Sequence, residues 1–69
     1  MEKVTFNIKK LREEANMTQS VLAERAHVSR SLINQLETGR RDSANSKTLN
    51  RLAEALNCKV SDFFIESEV

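Results

Sequence analysis

Proline is absent from this chain, and glycine and cysteine occur once each. So few turn-forming residues argue against a β-rich fold with many tight reversals. The single cysteine, Cys58, excludes an internal disulfide and fits a reducing compartment. No stretch approaches the about 20 consecutive apolar residues of a membrane span. The N-terminus, MEKVTFNIKK, lacks a signal-peptide apolar core. A soluble, cytoplasmic protein is expected. The only histidine, His27, has no Cys or acid at metal-ligand spacing, so no zinc site is expected. No Ser/His/Asp or Cys/His set, glycine-rich phosphate loop or paired carboxylates can be found. The chain reads as a non-enzyme with no cofactor and no small-molecule ligand.

The length, 69 residues, predicts one domain with a small core, over about residues 4–65, and an acidic tail at 66–69. No separate effector domain is expected at that length. Regulation would then come from concentration, dimerisation or a partner. The formal net charge is only +1, but it is unevenly spread. Residues 62–69 hold Asp62, Glu66 and Glu68 and no base, so residues 1–61 carry eleven bases against seven acids, or +4. That balance suits a modest attraction to phosphate.

Five short helices are predicted. The first runs from near Thr5 to Ala15, with Val4, Ile8, Leu11 and Ala15 as its inward stripe. Thr18 caps the second, which buries Leu22, Ala23 and Ala26. Ser29 caps the third, and Gly39 ends it. The fourth begins at Asn45 or Ser46 and buries Leu49, Leu52, Ala53 and Leu56. The fifth covers Lys59 to Ile65, with Val60 and Phe63 inward. Cys58, between Leu56 and Val60, reads as a small buried core residue rather than a redox thiol.

The third helix carries the most information. At about 100° per residue, with Arg30 at zero, Leu32, Ile33 and Leu36 fall near 200°, 300° and 240°. Arg30, Ser31, Asn34, Gln35 and Thr38 occupy the arc from about 0° to 140°. That arc has one Arg, two amides, two hydroxyls and no acid. Arg and Asn/Gln have the forked donors and acceptors that fit guanine and adenine edges in the major groove. In an isolated helix the bland alternative, a solvated face, would be preferred.

The segments IKKLRE, MTQSVLAERA, VSRSLINQLETGRR and TLNRLAEALNCKVSDFF together resemble the Cro/CI-type helix-turn-helix repressors of phages and bacteria. The resemblance spans about Val4 to Phe64. In the motif that starts at Gln19, the family wants a small residue fifth and aliphatics fifteenth and eighteenth, here Ala23, Ile33 and Leu36. Three departures concern turns and caps. His27 stands where the family has a turn glycine, and Asn16 and Asn57 stand where it ends helices with glycine. Such positions need φ > 0, which His and Asn tolerate best after Gly. Val21 replaces the usual acidic capping-box partner of Thr18.

The resemblance implies an all-α, lambda repressor-like bundle and sequence-specific binding of double-stranded DNA, most naturally as a repressor. It implies Arg30, Ser31, Asn34 and Gln35 as base readers, with Asn34 toward the flank. It implies Gln19, Thr38, Arg40 and Arg41 at phosphates, with Gln19 also bracing the recognition helix, and Arg12–Glu37 as a structural ion pair. The loop after Gly39 is about one residue longer than the family's usual spacing. Phe63, Phe64 and Ile65 cannot all face inward on one short helix. Phe64 and Ile65 either form a homodimer contact or Phe64 folds back over the bundle. Dimerisation would match a palindromic operator. A restriction–modification controller, an antitoxin-type regulator and a protein-interaction module without DNA are the alternatives. The acid-free arc argues against the last.

Overall fold

The computed structural model describes residues 7–41 and 43–64. Within them lie four α-helices: α1 (Ile8–Glu14), α2 (Gln19–Ala26), α3 (Arg30–Thr38) and α4 (Ser46–Leu56). A single 3-10 turn follows at Val60–Phe63. The all-α class is as expected, but the fifth helix is not formed as an α-helix. The Lys59 N–H donates to the Asp62 carboxylate at 3.0 Å, and the Asp62 N–H donates to the Lys59 carbonyl at 2.9 Å. These i to i+3 closures wind the segment more tightly than an α-helix. Ile65 lies outside the described residues, as do Val4, Thr5, Phe6 and the acidic tail at 66–69.

Three of the four helix starts follow one local device. Thr18, Ser29 and Asn45 hold extended backbone, and their side-chain oxygens accept from the N–H groups of Val21, Leu32 and Thr48 at 3.1, 3.0 and 2.8 Å. Each removes one orphan donor from a first turn. The stops share a device too. Asn16, His27 and Asn57 have φ of 59°, 59° and 56°, and Gly39 has 81°. These left-handed residues turn the chain back at a helix end.

Ile8, Leu22, Ala26, Ile33, Leu36, Leu52 and Phe63 form the almost completely excluded centre of the core. Helix α2 packs on α3 and α4, α1 on α3, and the 3-10 turn on α4. The α1 stripe differs from expectation at its end. Ala15 is the exposed residue after the helix, and Met17 covers the core edge in its place. The cause is the chain reversal at Asn16, which lets the Met17 N–H reach the Arg12 carbonyl at 3.0 Å. Cys58 is partly rather than fully buried. Burial, with the nearby Asp62 carboxylate, pushes its thiol above the ordinary range.

Candidate nucleic-acid interface

The turn between α2 and α3 is closed by backbone bonds. The Val28 N–H donates to the Ala23 carbonyl at 3.1 Å, and His27 supplies the left-handed step. Ala23 is buried and small, so α3 can lie close across α2. With Ile33 and Leu36 fully buried, α3 has one rotational setting against the core. That setting exposes Arg30, Ser31 and Asn34, while Gln35 is partly covered. The exposed polar face is therefore centred nearer Asn34 than the sequence pattern implied. None of the four α-helices has an acid in its first turn.

A polar clamp fixes the far end of α3. Arg12 Nε donates to Glu37 Oε2 at 2.7 Å, and Nη2 donates to Oε1 at 3.1 Å. Arg12 Nη1 donates to the Met17 carbonyl at 2.8 Å, and Gln19 Nε2 donates to Glu37 Oε1 at 3.0 Å. The Arg12 and Glu37 side chains are only 11% and 4% exposed. The bond from Glu37 holds the Arg12 guanidinium above its ordinary pKa, against the opposing effect of burial. Forked geometry of this kind fixes direction as well as distance. One carboxylate thus ties α1 and the start of α2 to the end of α3. The sequence reading anticipated the ion pair and a bracing role for Gln19. The arm to the Met17 carbonyl it did not show, because a backbone acceptor has no residue-type signature.

Gln19 uses one amide N–H on Glu37, which leaves its second N–H for another acceptor. Thr38 is committed differently from expectation. Its hydroxyl donates to the Asn34 carbonyl at 2.8 Å, with the Gln35 carbonyl at 3.4 Å. Donation to a phosphate would require breaking that bond. After Gly39 the chain folds back, and the Arg41 N–H donates to the Gln35 carbonyl at 3.1 Å. This return keeps Arg40 and Arg41, both exposed, beside the end of α3. Phe64 is 48% exposed, next to the 3-10 turn.

A family model described as Helix-turn-helix matches residues 8–63. No curated protein sequence matches the chain. Among solved structures, the restriction-modification controller protein C.AhdI from Aeromonas hydrophila superposes with a TM-score of 0.76 at 25% identity, covering 81% of this chain and 83% of that one. The clp gene regulator ClgR from C. glutamicum superposes with a TM-score of 0.70 at 31% identity, covering 80% of this chain and 70% of that one.

Proposed function

The chain belongs to the XRE-type helix-turn-helix family and is a DNA-binding transcriptional regulator, and on that premise we propose that it is a repressor that reads an operator with α3. The observation that carries this reading is the acid-free exposed face of a helix whose far end is clamped by Arg12, Glu37 and Gln19. Phosphate contacts place the module, and base contacts specify the site. Arg30, on the first turn of α3, donates two parallel bonds to guanine O6 and N7. Ser31, Asn34 and Gln35 address neighbouring bases, and either amide matches adenine N6 and N7. Gln19 offers its remaining N–H to phosphate. Arg40 and Arg41 add charge on the same side. Work of this kind needs no catalytic group, so the chain acts as a regulator and not an enzyme, in the cytoplasm with the DNA.

One module reads only a half-site, which gives little discrimination in a genome. The proposed working form is a homodimer on a palindrome, paired through Phe64 and Ile65. The likeness to C.AhdI favours a restriction–modification controller as the second reading. Selection of bound duplexes from random DNA, followed by footprinting, tests the proposal. Two inverted half-sites about one helical turn apart are expected. Protection of a single half-site by one chain would contradict the dimer. Recovery of unrelated sequences would contradict base reading.

A further inference from the structure

Helix α1 is held at both of its ends. At its start the Asn7 N–H donates to the Phe63 carbonyl at 2.7 Å, and Asn7 Nδ2 reaches the Asp62 carbonyl at 3.5 Å. Phe63 is completely buried, and its 3-10 turn packs on α4, so this end of the helix is fixed to the body of the core. Toward the other end, Arg12 grips Glu37 with two bonds and the Met17 carbonyl with a third. The four residues between these attachments, 8–11, make a helical strut about 7.5 Å long from Asn7 to Arg12. Helix α1 is thus a strut between the C-terminal turn and the end of α3.

We propose that the Asn7–Phe63 clasp sets the orientation of α3, which makes Asn7 and Phe63 positioning residues for base reading although neither lies on that helix. The proposal rests on the reading of α3 as the recognition element. Base-edge contacts tolerate a displacement of only about 0.5 Å. A tilt of about 4° over the length of the strut moves its far end by about that much. Phosphate contacts from long, exposed arginines absorb such a shift. A loosened clasp therefore loses discrimination between sequences before it loses affinity for DNA in general.

Asn7→Pro deletes the N–H donor at a residue whose φ of −84° is close to the value proline imposes. Leu52→Val is the control, a core change on α4 that leaves every hydrogen bond of both α1 attachments in place. Affinities for a selected site and a scrambled duplex are measured well below each variant's melting temperature. Asn7→Pro is expected to lower the ratio of the two by about three- to tenfold, the scale of one weakened base contact. Scrambled-DNA affinity and salt slope should stay at wild-type values, and Leu52→Val should leave the ratio alone. Should Asn7→Pro not fold, Phe63→Leu, which keeps an apolar plug, is scored in the same way. An unchanged ratio in a destabilised variant would overturn the positioning role and leave base reading intact. A wild-type chain that prefers no sequence would overturn both.

Discussion

His27 holds a left-handed conformation, with φ 59° and ψ 43°, between the two helices of the motif. A Cβ there sits close to the following carbonyl, at a cost of about 1–2 kcal/mol that glycine avoids. Glycine in turn loses more freedom on folding, so part of the gain is offset. His27→Gly should therefore leave the thermal melt unchanged or raise it. A clear fall would mean that the imidazole makes a stabilising contact. At this scale much was legible from the sequence. The caps Thr18, Ser29 and Asn45 bond three residues ahead, and the positive-φ sites carry the residue types that tolerate them. Thr38 was not legible. Its hydroxyl was free to serve DNA or its own helix, and residue type does not distinguish the two.

Helix α3 shows the same division at the scale of the element. Its inward residues follow from the 3.6-residue period alone, and Ile33 and Leu36 are indeed fully buried. Where α1 stops does not follow from periodicity, because Ala15 has the right spacing to continue the stripe. The reversal at Asn16 and the bond from Met17 decide it. The clamp on α3 gives a stability prediction. Glu37→Ala leaves the Arg12 guanidinium nearly buried with no carboxylate, which should cost about 3–5 kcal/mol. Adding Arg12→Met removes that uncompensated charge, so the double variant should be more stable than Glu37→Ala alone. Urea midpoints of wild type, Arg12→Met, Glu37→Ala and the double variant check this. Additive losses would show that the pair acts only as two independent packing groups.

For the whole molecule, the attachment of α1 to the C-terminal turn was hidden in the sequence because Asn7 and Asp62 are 55 positions apart. The fifth element also came out differently, as four residues of 3-10 turn stabilised by Asp62. The modest net charge of +1 matters at this scale as well. It limits non-specific attraction, and the proposed base contacts and pairing of two modules would supply the remaining affinity. None of the helices in the described residues is long and apolar enough to cross a membrane.

We propose that α3 reads bases while the residues after it hold phosphate. Binding of wild type, Arg30→Ala and Arg41→Ala to selected and scrambled DNA across a salt series tests it most directly. Arg30→Ala should lose about 1–3 kcal/mol on the selected site, with preference relaxed at one base pair and scrambled binding little changed. Arg41→Ala should weaken both duplexes alike and reduce the salt slope by about one unit per chain. Equal loss on both duplexes for Arg30→Ala would remove α3 as the recognition element.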